Sequence, residues 1–249
     1  MYIIESENLV KRYGKIVALK NVCLKIKRGI FGLLGPNGAG KTTFLRIILG
    51  LSRRTSGEIE VLGMDPWKEG ERLRRKVGFM PEKPVFPPYT TGRRVLELIT
   101  KLRGSDIEDS LRLAEMMGLK RKLDVQIGGY SAGMVSRLAF CISLIGKPEL
   151  LVLDEPTANL DPIGRIKLID IVKEYSKEGG SVVVTTHSLR DIENLLDSVA
   201  FMHRGTVLES GDLEDLMRKY SNPFSGHVTR LEGLYMGVMY GKAHDIDEI

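Results

Sequence analysis

The chain has 249 residues, of which 43% are hydrophobic and 28% charged, a composition typical of a soluble globular protein. A formal net charge of +5 is only mildly basic and does not argue for nucleic acid. A solvated surface is the simplest interpretation, and a basic face near anionic lipid is the alternative. The sequence shows no signal peptide and no stretch of about 18 apolar residues, so we expect another chain to supply any path across a membrane.

The two cysteines, Cys23 and Cys141, are far apart, and neither has a Cys or His partner at metal-ligand spacing. This pattern argues against a disulfide framework and a zinc site, and it suits a reducing cytosol. Cys141 lies in the apolar stretch 138–142, so we expect it to be a small core residue.

Short β-type runs alternate with helical patterns along most of the chain. Residues 2–9 and 16–26 predict an antiparallel opening element. Runs 150–153 and 181–185 are apolar or β-branched throughout, as is typical of buried parallel strands. The other predicted strands are 29–34, 59–62, 77–80, 199–202 and 206–209. The predicted helices are 42–50, 95–102, 107–117, 134–145 and 162–178.

Residues 83–145 differ in character from the rest of the chain. An irregular linker with several prolines is followed by three helical patterns without an intervening strand. We therefore predict an α/β core formed by residues 1–82 and 146–220, with 83–145 as an inserted helical subdomain. Residues 221–249 form a C-terminal tail that we leave unassigned. Its apolar residues favour packing on the core over contact with a partner.

The segment Gly35–Thr42 reads GPNGAGKT and fits the pattern G-x-x-x-x-G-K-[ST]. Glycines let the backbone curl so that N–H groups converge on phosphate oxygens, and the following helix directs its positive end at the same anion. Lys41 would reach the β and γ phosphates, and the Thr42 hydroxyl would ligate Mg²⁺. A chance glycine-rich turn is the alternative, and the flanking strand and helix argue against it. The predicted nucleotide-binding residues here are Gly35, Asn37, Gly38, Ala39, Gly40, Lys41, Thr42 and Thr43.

Two carboxylates, Asp154 and Glu155, follow the apolar run 150–153. The C-terminal edge of a parallel sheet is where open α/β proteins bind ligands, so we expect both acids beside the phosphate loop. Asp154 would hold Mg²⁺, and Glu155 would orient and deprotonate the attacking water. An acidic pair after a strand is otherwise a solvated turn or a helix cap.

With these motifs in place, residues 1–215 resemble the nucleotide-binding domain of the ABC (ATP-binding cassette) family. Tyr13, in KRYG, is similar to the aromatic residue that stacks on adenine. Ser131 and Gly133, in SAGM, resemble the signature motif, usually LSGGQ, which faces the γ-phosphate held by a second subunit. Asp161, in NLD, resembles the end of the D-loop at the dimer interface. His187 resembles the switch histidine that contacts the γ-phosphate. The remaining histidines, His203, His227 and His244, have no such context.

The resemblance implies an α/β fold of the P-loop NTPase type, with a mostly parallel sheet, an antiparallel β element near the N-terminus and an inserted helical subdomain. It implies an ATPase in which Lys41, Glu155 and His187 are catalytic, with ATP and Mg²⁺ as cofactors. The implied partners are a second nucleotide-binding domain, identical or different, and a transmembrane permease. The implied location is the cytoplasmic face of the cell membrane, and no nucleic-acid partner is expected.

Two positions depart from the commonest family pattern. Glu82, in GFMPE, stands where a glutamine is usual; its carboxylate can ligate Mg²⁺ but cannot donate an N–H bond to water. Met134 ends the signature motif in place of glutamine, and a thioether cannot replace the amide's hydrogen bonds. Both departures resemble a branch of stand-alone cassettes that pair with a separate permease, often for export, which favours an exporter over an importer.

Two other functions stay open. A soluble ABC ATPase acting on DNA or ribosomes would usually carry two cassettes, zinc-binding insertions or long coiled-coil arms, and this chain has none of these. A nucleotide-binding regulator without turnover would not need the base that Glu155 resembles. Transport is therefore the favoured function, and its substrate would be chosen by the permease.

Overall fold

The computed structural model describes residues 2–220 and 228–242. These described residues divide into two units, the second formed by residues 75–182 and the first by all the others. The strands are β1 (Tyr2–Tyr13), β2 (Ile16–Lys27), β3 (Ile30–Leu34), β4 (Ser56–Val61), β5 (Val77–Met80), β6 (Leu150–Asp154), β7 (Ser181–Thr186), β8 (Ser198–His203) and β9 (Thr206–Asp212). The helices are α1 (Lys41–Ile48), α2 (Gly70–Lys76), α3 (Gly92–Arg103), α4 (Ile107–Met116), α5 (Ala132–Leu144), α6 (Pro162–Lys177), α7 (Leu189–Ile192), α8 (Leu213–Lys219) and α9 (Arg230–Lys242).

In the first unit, β1 pairs antiparallel with both β2 and β4 to form a three-stranded sheet. Ile4 lies opposite Ile26 on one side and Val61 on the other, and all three side chains are fully buried. These cross-strand apolar contacts set the register of the sheet. The predicted antiparallel opening element is confirmed, and both strands extend beyond their apolar residues.

The same unit holds β3, the strand that leads to the phosphate loop, in the order β3-β8-β9, and most of β7, the other neighbour of β3. β3 pairs parallel with β8, and every residue of β3 is buried. β8 returns through a tight turn into β9, with Arg204 at φ 44° and Gly205 at φ 85°. Two successive residues of positive φ are what a two-residue hairpin turn of this kind requires.

In the second unit, β5 pairs parallel with β6, and α5 packs against β5. Gly78 is required at this contact because a Cβ there would lie 1.8 Å from the carbonyl oxygen of Ser143 on α5. The three predicted helices between β5 and β6 are confirmed as α3, α4 and α5. Two of them begin earlier than their apolar pattern, since Thr91 and Ser131 cap them with side-chain oxygens.

Helix α9 lies in the tail that the sequence leaves unassigned. Its residues Leu231, Leu234 and Val238 are buried, and it contacts α7, α8 and β9. Packing on the core, which the apolar residues favour, is thus what this part of the tail does. The rest of the tail, 221–227 and 243–249, lies outside the described residues, together with His227 and His244.

Cys23 is exposed and Cys141 is buried, and both are free thiols. The predicted core position of Cys141 is confirmed, and its complete burial raises the pKa of the thiol to about 12. Within residues 2–220 and 228–242, no helix combines the length and apolarity needed to span a membrane.

Candidate nucleotide-binding and hydrolysis site

The phosphate loop curls around its own lysine. Lys41, the first residue of α1, is only 7% exposed, and its Nζ donates to the carbonyl oxygens of Gly35 at 2.6 Å and Pro36 at 3.2 Å. The fully buried strand β3 fixes where the loop begins. The ammonium group is therefore held inside the curve of the loop by two of the loop's own carbonyl oxygens.

Glycines in the loop have conformations and contacts that other residues would not tolerate. Gly38 and Gly40 lie at φ 78° and 104°. A Cβ on Gly40 would approach the carbonyl oxygen of Ala18 to 2.8 Å. Gly40 also starts α1 without a side-chain cap, so the first N–H groups of the helix are left to a ligand or to water. Backbone N–H groups, a lysine and the exposed hydroxyl of Thr42 are a donor set that fits phosphate.

Tyr13 ends β1 with 43% of its surface exposed. The Nζ of Lys11 lies 4.6 Å from the ring centroid and also donates to the carbonyl oxygen of Arg53 at 2.6 Å. The tyrosine hydroxyl lies 3.4 Å from the Oγ of Ser52. The ring is thus contacted over one face by Lys11 and at its hydroxyl by Ser52, and its exposed surface is accessible for stacking on a base.

The acidic pair lies where a fully buried strand ends. Asp154 is the last residue of β6 and is 6% exposed, and Glu155 is 9% exposed. Glu155 has φ 51°, a left-handed conformation that a side chain with a Cβ rarely adopts. Such strain persists only where the surrounding structure imposes it, and it is common at functional sites.

Two helix N-termini in the second unit carry the signature and D-loop residues. The Oγ of Ser131 accepts from the backbone N–H of Met134 at 3.3 Å and caps α5. The Oδ1 of Asp161 accepts from the N–H of Gly164 at 2.9 Å and caps α6. Gly133 faces the D-loop so closely that a Cβ would lie 2.9 Å from the carbonyl oxygen of Asn159.

Arg137, which the sequence analysis missed, joins these two segments. Its Nη2 donates to the Oδ1 of Asp161, and its Nη1 donates to the carbonyl oxygen of Met117 at 3.3 Å. The hydrogen bonds from Gly164 and then from Arg137 lower the pKa of the Asp161 carboxyl. The signal in the sequence was an arginine within the apolar pattern of α5, but its acidic partner is 24 residues away.

His187 and Glu82 both lie in loops directly after strands, and both are exposed. His187 follows β7. The N–H of Ser188 donates to the Oγ1 of Thr186 at 2.9 Å, and this hydrogen bond spans the turn at His187. The carboxylate of Glu82 lies 3.8 Å from the Nζ of Lys83. Both side chains are therefore accessible to a ligand.

The predicted site residues fall into two groups, one in each unit. The first unit holds Tyr13, Gly35, Asn37, Gly38, Ala39, Gly40, Lys41, Thr42, Thr43 and His187. The second unit holds Glu82, Ser131, Gly133, Asp154, Glu155 and Asp161. Among the described residues no cluster of three His, Cys, Asp or Glu side chains could hold a metal ion by itself. Thr42 in the first unit, and Glu82 and Asp154 in the second, carry hydroxyl or carboxylate oxygens, which are the ligand types that Mg²⁺ prefers.

A phosphate loop between a buried strand and a helix, with an acidic pair ending another buried parallel strand, defines a P-loop nucleotide hydrolase. The pattern of the family described as "ABC transporter" matches residues 19–158. The chain belongs to this family.

Curated relatives support the assignment over most of the chain. The bacitracin transport ATP-binding protein BcrA of Enterococcus faecalis is 35% identical over 221 residues, which are 88% of this chain and 72% of that protein. The lantibiotic transport ATP-binding protein SrtF of Streptococcus pyogenes is 35% identical over 88% of this chain and 96% of its own length. The linearmycin resistance ATP-binding protein LnrL of Bacillus subtilis is 35% identical over 86% of this chain and 70% of its own.

Solved structures show the same fold. The ATP-binding subunit of an ABC transporter matches with a TM-score of 0.85 and 28% identity, over 95% of this chain and 99% of that one. A dimeric bacterial ABC transporter cassette matches with a TM-score of 0.77 and 28% identity, over 84% and 98%. A post-hydrolysis state of that cassette, bound to ADP and phosphate, matches equally well. The chain is thus an ABC ATPase, and the predicted fold class is confirmed.

Proposed function

We propose that this chain binds and hydrolyses Mg·ATP at the interface of a cassette dimer and thereby drives a separate membrane permease. The observation that carries the proposal is Glu155, a carboxylate in a strained left-handed conformation at the end of a buried strand. A regulator that only binds nucleotide has no need to maintain such a residue, whereas hydrolysis needs a positioned base for water.

Each remaining site residue takes part in positioning the phosphates or balancing their charge. Lys41 and the N–H groups of the loop bind the β and γ phosphates, and Tyr13 stacks on the base. Thr42, Asp154 and Glu82 would hold Mg²⁺, which would neutralise the charge that develops on the phosphate oxygens. His187 contacts the γ-phosphate and helps to orient the water. Phosphoryl transfer needs little covalent chemistry from the protein, so these contacts carry most of the catalysis.

A second cassette, identical or different, completes each site. Ser131 and Gly133 begin α5, whose positive N-terminus would face the γ-phosphate bound by the partner, and Asp161 would lie along the interface. The dimeric cassette structure at 28% identity supports this arrangement.

Export through the membrane is the direction we propose. Glu82 and Met134 resemble the stand-alone exporter branch, and a relative named for linearmycin resistance supports the same direction. The permease would choose the substrate, and this chain would work at the cytoplasmic face of the membrane, bound to it through that permease.

The test is the Glu155→Gln variant beside the wild type. We expect the wild type to hydrolyse ATP and the variant to lose about 100-fold or more of that rate, because the amide cannot accept a proton from water. With turnover blocked, Mg·ATP should shift the variant from 27.8 kDa to twice that mass in light scattering.

Two controls separate the steps of this test. Glu178→Gln removes an exposed carboxylate just after α6 and should keep wild-type turnover. Adding Lys41→Ala to Glu155→Gln should abolish the ATP-dependent dimer, because the loop loses its ammonium group. A wild type without turnover whose Glu155→Gln variant stays monomeric with Mg·ATP would refute the proposal.

A further inference from the structure

Side chains cap backbone N–H groups at the start of helix α9. The backbone N–H of Thr229 donates to the Oε2 of Glu232 at 2.8 Å, and the N–H of Glu232 donates to the Oγ1 of Thr229 at 3.3 Å. This reciprocal pair is a capping box. Glu193, outside the helix, accepts from the N–H of Leu231 at 3.3 Å. The start of α9 is therefore fixed both by its own residues and by a neighbouring segment.

That neighbouring segment is the one that follows His187. It consists of α7, only four residues long, and the 3-10 turn Glu193–Leu195. Such a short helix has almost no stability of its own, so tertiary contacts decide where it lies. Its first and last residues, Leu189 and Ile192, are buried, and no side chain caps its N-terminus.

An ion pair joins the outer surface of α7 to the capping box. The Nε of Arg190 donates to the Oε1 of Glu232 at 2.8 Å, while the other oxygen of Glu232 serves the cap. The hydrogen bond from Arg190, followed by that from Thr229, lowers the pKa of the Glu232 carboxyl, so the pair remains charged. Arg190 is 61% exposed, and an exposed ion pair adds little to stability. The ion pair matters more for position than for stability, because Arg190 lies three residues after His187 and fixes the segment that follows it.

We propose that Glu232 is a positioning residue for catalysis: through Arg190 it holds the segment after His187, so that helix α9 sets where the switch histidine lies. This inference rests on the proposed function of His187. It assigns to the C-terminal helix, which lies beyond the family pattern at 19–158, a role in hydrolysis. α9 does not touch the nucleotide in this proposal and acts only through α7.

The test compares Arg190→Gln, Glu232→Gln and the double variant in steady-state ATP hydrolysis. Glutamine at 232 preserves the capping box, so the change removes the ion pair and leaves the start of the helix intact. We expect each single variant to lower kcat about three- to tenfold with an unchanged KM for ATP, and the double variant to fall no further. Arg190→Lys, which keeps the charge, should recover part of kcat.

Arg230→Gln is the matched control, because it breaks an ion pair of the same helix with Glu214 on α8. It should leave kcat unchanged. A second measurement does not depend on turnover: the imidazole NMR signal of His187, assigned with His187→Gln, should shift in Glu232→Gln but not in Arg230→Gln. Unchanged kcat in both pair variants, or an unchanged His187 signal, would overturn the inference. A wild type without turnover would instead count against the proposed function. The NMR comparison would still test whether Glu232 positions His187.

Discussion

Arg137 and Asp161 join the signature helix to the D-loop through a hydrogen bond from Nη2 to Oδ1. The same carboxylate oxygen accepts the N–H of Gly164 and caps α6. Asp161 therefore accepts hydrogen bonds from both α5 and α6, two helices that the proposed mechanism places at the interface with a second cassette. Its position depends on both donors, and its charge depends on pH.

The Asp161→Asn variant tests that charge without removing the cap, since asparagine caps helices as well as aspartate does. The pKa of Asp161 is lowered in the folded protein, so its charge stabilises the fold above the unfolded pKa of about 3.9, and that contribution is lost as pH falls through the folded pKa. We expect Asp161→Asn to flatten the loss of stability below pH 4. Urea unfolding between pH 2.5 and 7 measures the free energy of unfolding at each pH. The prediction would be contradicted if the variant lost as much stability below pH 4 as the wild type does.

Gly133→Ala should disturb the contact between the signature segment and the D-loop. The new Cβ would lie 2.9 Å from the carbonyl oxygen of Asn159, and a backbone atom can move away only if the loop shifts. We expect a loss of about 1 kcal/mol in the free energy of unfolding and weaker ATP-dependent dimerisation. Gly129→Ala is the control, because its Cβ would meet only the Cγ1 of Val125 at 3.7 Å. Equal effects of the two substitutions would refute the prediction.

Much of the fold could be predicted because apolar periodicity and local motifs set it. Strand β5 matches its predicted range, and β6 and α6 each differ from theirs by one residue at the C-terminal end. Helix α2 was missed because six of its seven residues are glycine or charged, with Leu73 as its single buried apolar side chain. A short polar helix of this kind takes its position from packing, which periodicity does not report.

Helix α9 shows where a signal was present but not used. Its glycines at 233, 237 and 241 weaken the apolar pattern, but Thr229 and Glu232 have the spacing of a capping box. In the candidate site, too, some features could be recognised from the sequence and others could not. The loop from Gly35 to Thr42 is a local motif and could be recognised directly. The link from Arg137 to Asp161 depends on tertiary structure and could not.

Lys41→Ala should weaken ATP binding about 10- to 100-fold, the loss expected for hydrogen bonds to a charged group. The fold should persist, because the loop is also held by the bond of 3.0 Å from the N–H of Gly205 to the carbonyl oxygen of Ala39. Arg46→Ala, at an exposed position in the last turn of the same helix, should bind ATP as the wild type does. Calorimetric titration with Mg·ATP distinguishes the two variants.

Glu155→Gly and Glu155→Ala separate the strain at this residue from its chemistry. Both remove the carboxylate, so both should lose hydrolysis. The glycine variant should nevertheless be more stable than the alanine variant by about 1 kcal/mol, because glycine adopts φ 51° without steric cost and alanine does not. Denaturant unfolding of the two proteins measures the difference. If alanine is equally stable, the backbone has relaxed out of the left-handed region, and the native conformation then depends on the carboxylate itself. If glycine is more stable, the surrounding loop imposes the conformation whatever the side chain, and the strain is maintained to aim the base.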